Sequence, residues 1–212
     1  MQAAIFDLDN CLCPADAVGR ALYAPAFDAI RAANDGRVAP AALDAALEAC
    51  WHTAFDLVAR QYGFSETMTR AGDAAFRQVE VHGPLQGYAD LALVKELPLR
   101  RYLVTTGYRR LQESKIRALG IAPWFEQVLV DAIDEPDHPG KKAAFHQIAQ
   151  RDGFAPRDVM VVGDNPVSEL AAGRALGMVT VQLLRPGVLP ADDVDHRFAG
   201  LRGVLVLAGV RS

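Results

Sequence analysis

The sequence predicts an α/β fold, a doubly wound parallel sheet carrying a small all-helical unit inserted after the first strand. Three observations predict it. From residue 84 onward short apolar runs alternate with amphipathic stretches, the pattern of strands joined by crossover helices. Those runs are apolar throughout, as strands buried on both faces are. Between the first run and the second lies a long stretch of helical periodicity with no strand pattern, far longer than an ordinary crossover. The organisation expected is a core built from residues 1–13 and 84–212, with a helical domain over 14–83 set above the strand ends.

Ala3-Ala4-Ile5-Phe6 reads as the first strand, ending abruptly in Asp7 and Asp9. Residues 17–33, 41–64 and 65–81 each carry apolar side chains at three- and four-residue spacing and predict helices. Asn34-Asp35-Gly36 is a turn signal between the first two, and Ser65 suits the N-cap of the third. His82-Gly83-Pro84 marks the return to the core. A helix is expected over roughly 87–95, then a strand at 101–105 ending in Thr105-Thr106-Gly107. A helix over 109–119 stops at Gly120. Further strands are expected at 127–130, 159–162 and 178–183. Lys141-Lys142 opens a helix reaching about Arg151, and Pro166 suits the first turn of another. The apolar tail, 201–210, is too broken by glycine to assign.

With 212 residues, 51% of them hydrophobic, the chain can bury a sizeable core. A net charge of −4 without a basic stripe argues against nucleic acid or an anionic membrane as partner. No apolar run is long enough to cross a bilayer, and the opening MQAAIFDLDN lacks the basic start of a secretory leader. Cys11, Cys13 and Cys50 are too few for a disulfide framework, so a reducing cytoplasm is expected.

Four strand ends carry the chemistry. Ligands of open α/β sheets bind beyond the carboxyl ends of strands. Asp7 and Asp9 are there, two acids that repel unless a cation or a developing charge lies between them. Thr105 brings a hydroxyl, and the N–H groups of Thr106 and Gly107 open a helix, where anions are favoured. Lys141 or Lys142 opens another helix. Asp164 follows a fourth strand, with Glu169 five residues on. Carboxylates of this kind suit Mg²⁺, and the donors suit a phosphate. Taken singly, Glu169 reads equally well as an exposed first-turn acid. Tyr23, His52, Phe55, Arg60 and Tyr62 are candidate substrate contacts in the helical insert, while Trp51 and Phe55 at helical spacing read more simply as core.

D-L-D-N at 7–10, L-V-T-T-G at 103–107, the lysine at 141 and V-V-G-D-N-P-V-S-E at 161–169 together resemble the four motifs of the haloacid dehalogenase-like (HAD) hydrolase superfamily. The insert resembles the helical C1 cap of its subfamily I phosphatases. The resemblance implies a Rossmannoid core and a Mg²⁺-dependent phosphatase acting on a small phosphorylated metabolite, phosphoglycolate- or nucleotide-like, as a monomer or homodimer. It implies Asp7 as nucleophile forming an aspartyl-phosphate, and Asp9 as general acid and then base. Asp7, the backbone carbonyl of Asp9, and Asp164 would hold Mg²⁺. Thr105 and the Thr106 N–H would bind phosphoryl oxygens, and Lys141 would neutralise nucleophile and phosphate, with Lys142 as its rival. Three positions depart from the family pattern. Cys11 stands where Thr is usual, a weaker donor to brace the loop. Glu169 stands where Asp is usual, reaching the metal through water, and the lysine lacks a following Pro. Two other readings stay open, a metal-independent 2-haloacid dehalogenase and a weakly catalytic binding or regulatory protein.

Overall fold

The computed structural model describes residues 1–210. Its centre is a six-stranded, wholly parallel sheet of β1 (Ala3–Phe6), β2 (Arg100–Gly107), β3 (Gln127–Ala132), β4 (Val159–Gly163), β5 (Val179–Leu183) and β6 (His196–Phe198). The spatial order is β3-β2-β1-β4-β5-β6, so the strand order reverses between β1 and β4. That reversal opens a crevice at the carboxyl ends, the usual ligand position in such sheets.

The unbroken apolar runs are explained by burial on both faces. Ala4 and Phe6 of β1, Leu103 of β2 and Met160 and Val162 of β4 face one core, covered by α5 (Arg109–Leu119) and α8 (Leu201–Leu207). Ala3, Ile5, Tyr102, Val104, Val159 and Val161 face the other, covered by α6 (Gly140–Asp152) and α7 (Glu169–Ala175). Phe6 is level with Leu103 on one side and Val162 on the other. Asp7, Thr105 and Asp164 therefore leave three adjacent strands at nearly one level.

Residues 15–79 form a helical layer of α1 (Ala24–Ala33), α2 (Pro40–Ala49), α3 (Phe55–Gln61) and α4 (Glu66–Phe76). Ile30, Leu47, Phe55, Met68 and Phe76 make its core, which continues onto Tyr108 and Leu111 of the sheet-bearing part. Ser65 caps α4, accepting from the Met68 N–H at 3.2 Å. Gly120 ends α5 in the left-handed conformation.

Several elements differ from expectation. The stretch 17–33 is α-helical only from Ala24; before it two 3₁₀ turns, Ala15–Val18 and Arg20–Tyr23, are parted by Gly19 at φ +81. The stretch 41–64 breaks into α2 and α3, since the chain turns inward at Trp51 to stack its ring on Tyr23 at 4.2 Å. The helix expected over 87–95 is a short 3₁₀ stretch, Leu91–Glu96. Before it, Gly87 and Tyr88 run against residues 11–13, and the Tyr88 N–H donates to the Leu12 carbonyl at 3.0 Å. A Cβ on Gly87 would stand 2.8 Å from that oxygen. Pro166 lies in a turn, not in a helix, and α7 starts at Glu169. The unassigned tail supplies α8. Among the described residues no helix is long and apolar enough to cross a membrane.

Candidate active site

The turn after β1 is tight. Asp7 donates its N–H to the Val162 carbonyl at 3.0 Å, which ties β1's exit to β4. Asn10 adopts φ +55, a conformation asparagine tolerates, and its Oδ1 accepts from the Ala15 N–H at 3.1 Å. Leu8, Cys11, Leu12 and Cys13 are fully buried beneath the loop. Cys11 Sγ lies 3.5 Å from the Val162 carbonyl, a weak contact. The stronger brace is Arg185, whose Nε donates to the Cys11 carbonyl at 3.0 Å while Nη1 reaches Asp90 at 3.0 Å.

Asp7, Asp164 and Glu169 come together. One carboxylate oxygen of each lies within 4.8 Å of the others, a spacing that fits one divalent cation held by hard oxygen ligands. Lys141 Nζ stands 2.9 Å from Asp7 Oδ1 and 2.8 Å from Glu169 Oε2. Lys142 is exposed. Burial pushes Asp7 up to about 7, against the pull of Lys141 and with the help of Glu169. Burial pushes Asp164 up to about 8, with Glu169 and Asp7 adding to it. Lys141 is desolvated too, but Asp7 and Glu169 outweigh this and hold its ammonium charged. Three acids thus share one ammonium, leaving two formal negative charges when all are ionised. Glu169 is no exposed first-turn acid; it is 1% exposed, and its Oε1 accepts the Asn165 N–H at 2.7 Å. Gly163 makes room for it, since a Cβ there would stand 2.3 Å from Glu169 Oε1.

Thr105 is buried and lines the same cavity as Asp7, Lys141 and Asp164. Thr106 turns its hydroxyl away, donating to Asp131 Oδ2 at 3.0 Å. Asp131 Oδ1 also accepts the Gly140 N–H at 2.8 Å and so opens α6. The start of α5 is not free: the Arg109 N–H donates to Asp134 Oδ1 at 3.0 Å. Asp9 directs its carboxylate away from the acid cluster, onto α5. Lys115 Nζ meets both its oxygens, at 2.9 and 3.0 Å, and Gln112 Nε2 donates to Oδ2 at 3.1 Å. Lys115 and Gln112 were not anticipated, although both fall on the apolar face of a helix that also carries Leu111 and Ile116. Gly107, at φ +156, lets Gln112 approach, since a Cβ there would stand 2.5 Å from its amide nitrogen.

The cavity measures about 280 Å³, at the small end for ligand sites. Its far wall comes from the helical layer: Tyr23, Trp51, His52, Phe55 and Phe76. Trp51 and Phe55 are therefore core and cavity wall at once. Arg60 is outside the wall and pairs with Asp56, and Tyr62 is outside it as well. Asn10 Nδ2 lies 3.4 Å from His52 Nδ1, a direct link between the loop after β1 and the helical layer.

The fold and sequence have close parallels. A phosphoserine phosphatase from Thermus thermophilus is 30% identical over 164 residues, 69% of this chain. The chain spans 64% of that relative's length. A HAD phosphatase from Thermococcus onnurineus superposes with a TM-score of 0.68 at 18% identity, covering 100% of this chain and 99% of that one. A HAD-superfamily hydrolase of subfamily IA from Geobacter sulfurreducens gives 0.65 at 16% identity, over 99% and 97% of the two chains. Residues 1–177, which include Asp7, Asp9, Thr105, Lys141, Asp164 and Glu169, match the family model of the haloacid dehalogenase-like hydrolases, and the chain belongs to that family.

Proposed function

We propose that this hydrolase is a Mg²⁺-dependent phosphatase that removes the phosphate from a small metabolite through an aspartyl-phosphate on Asp7. The observation that carries the reading is the buried group of Asp7, Asp164 and Glu169 around Lys141. Buried acids in excess over their cations are costly unless a further positive charge joins them. Asp7, Asp164 and Glu169, with the Asp9 carbonyl, would hold Mg²⁺, which supplies positive charge for the phosphoryl oxygens. Asp7 attacks phosphorus as its bond to the leaving oxygen breaks, and Asp9 gives that oxygen a proton. Asp9 then takes a proton from water, which attacks phosphorus and frees Asp7. Lys141 holds charge against the nucleophile, and Thr105 offers its hydroxyl to a phosphoryl oxygen. The helical layer acts as a cap, its aromatic wall keeping bulk water from the intermediate.

A cavity of about 280 Å³ favours a compact substrate such as a phosphoglycolate-like molecule over a nucleotide. The likeness to a phosphoserine phosphatase supports a phosphate monoester. The dehalogenase reading gains nothing from this site, because that chemistry has no use for Asp9 or for a three-carboxylate group. Asp7→Asn is expected to abolish p-nitrophenyl phosphate hydrolysis, and chelation with EDTA to do the same reversibly. Activity surviving either treatment overturns the assignment.

A further inference from the structure

Lys115 is unexplained by the reaction above. It belongs to α5, its side chain is 2% exposed, and its ammonium binds both oxygens of Asp9. A buried ion pair contributes little to stability once desolvation is counted, so a lysine in this position calls for another use. The cavity is lined by two lysines, and they serve different ends of it. Lys141 attends Asp7 and Glu169, at the phosphoryl end. Lys115 lies one helical turn from Leu111, which packs with Tyr23 and Phe76 of the helical layer, and it lines the cavity with them. Apart from the lysine, the lining there is aromatic, apolar or uncharged polar, Asn10, Thr53 and Gln112 among it, with one imidazole, His52. A negative charge carried by the leaving group therefore has one lysine to meet.

We propose that Lys115 recognises a carboxylate on the leaving-group side of the substrate, and that this carboxylate displaces Asp9. The inference rests on the phosphatase reading. The exchange replaces one carboxylate on Lys115 by another, so the buried ammonium keeps a partner, and Asp9, freed of the lysine, takes up from solvent the proton it then gives to the leaving oxygen. It also releases Asp9 toward the leaving oxygen, which couples recognition to the availability of the acid. Two buried polar atoms on the same wall have no partner, Gln112 Oε1 and Trp51 Nε1. Gln112 now spends its amide nitrogen on Asp9 and on the Thr106 carbonyl, at 3.1 and 3.2 Å. Departure of Asp9 lets that amide turn and its oxygen find a donor. The substrate class is thus a phosphorylated small carboxylic acid.

The test compares phosphoglycolate with ethyl phosphate, which lacks the carboxylate, in saturating Mg²⁺. Wild type is expected to favour phosphoglycolate by about 30-fold or more in kcat/KM. Lys115→Met should bring that ratio to within about threefold of unity, and Lys115→Arg should retain most of it. If Lys115 only orients Asp9, both substrates slow together and the ratio survives in Lys115→Met, which overturns the proposal. A second measurement stands should Lys115→Met fail to fold. Asp9→Asn frees Lys115, so it should bind 3-phosphonopropionate, the non-hydrolysable isostere of phosphoglycolate, about fivefold more tightly than wild type by calorimetry. Propylphosphonate should show no such gain. Unchanged or weaker binding of the carboxylate by Asp9→Asn rejects the exchange. Wild type that fails to hydrolyse even p-nitrophenyl phosphate refutes the phosphatase reading itself. Wild type that hydrolyses it but shows no preference between the paired substrates refutes only the role of Lys115.

Discussion

Asp164→Asn should make the metal-free protein more stable while removing its response to Mg²⁺. Asp164 is pushed up from 3.8 to about 8, first by burial and then by Glu169 and Asp7. A carboxyl whose pKa rises on folding binds its proton more tightly when folded. Its favourable contribution is complete below the unfolded value near 4 and is lost as pH climbs through about 8. At pH 7 about three units of that shift are expressed, a ceiling of about 4 kcal/mol at ~1.4 kcal/mol per unit. Asp7, raised to about 7, draws on the same protons, so the two titrate as a pair and their effects do not add. A gain of about 2 kcal/mol is therefore expected for the asparagine, ~5 °C in a chain of this size. Thermal unfolding in EDTA at several pH values from 5.5 to 8.5 measures it. Wild type should lose stability across that range relative to Asp164→Asn, and Mg²⁺ should restore wild type alone. A variant less stable than wild type in EDTA, or a difference that does not grow with pH, would refute the electrostatic account of the cluster.

Two further outcomes follow from contacts around the site. Arg185→Gln removes the guanidinium that holds the Cys11 carbonyl and Asp90 and that lies 4.2 Å over the Tyr88 ring. It should cost about 2–3 kcal/mol in urea denaturation and lower kcat about tenfold with little change in KM, because the loop carrying Asp7 and Asp9 loses its brace. Full kcat in this variant would show that the loop holds itself. Gly163→Ala puts a Cβ against Glu169 Oε1, which must move off the Asn165 N–H and carry Oε2 away from Lys141. Mg²⁺ affinity, read by calorimetric titration, should fall by about tenfold, a change typical for disturbing the groups that orient metal ligands; an unaltered affinity would mean that Glu169 is not among them.

The sheet was readable because each central strand is buried on both faces, and that leaves an unbroken apolar run. The order of strands was not, since pairing depends on where each crossover returns. Helix boundaries failed where a side chain had a better use for the backbone than helix continuation. Trp51 stops one helix in order to stack on Tyr23, and Asn165 with Glu169 delays another past Pro166. Periodicity records which residues are apolar, and it carries no information on a ring that folds back across the helix axis.

The acids were legible for a related reason. A carboxylate directly after a buried strand has few places to go, and Asp7 and Asp164 both leave the sheet at the point where its strand order reverses. Lys141 and Lys142 are adjacent and chemically identical, and only packing of α6 separates a lysine on Asp7 from one in solvent. Lys115 was within reach and was overlooked. Leu111, Lys115 and Ile116 share one face of α5, and a lysine in that row is either misplaced or paired with a buried acid. The four acids of the site, Asp7, Asp9, Asp164 and Glu169, and its two buried lysines sum to two negative charges. Lys115 pairs off Asp9, so the excess falls on Asp7, Asp164 and Glu169 around Lys141, where a divalent cation would balance it.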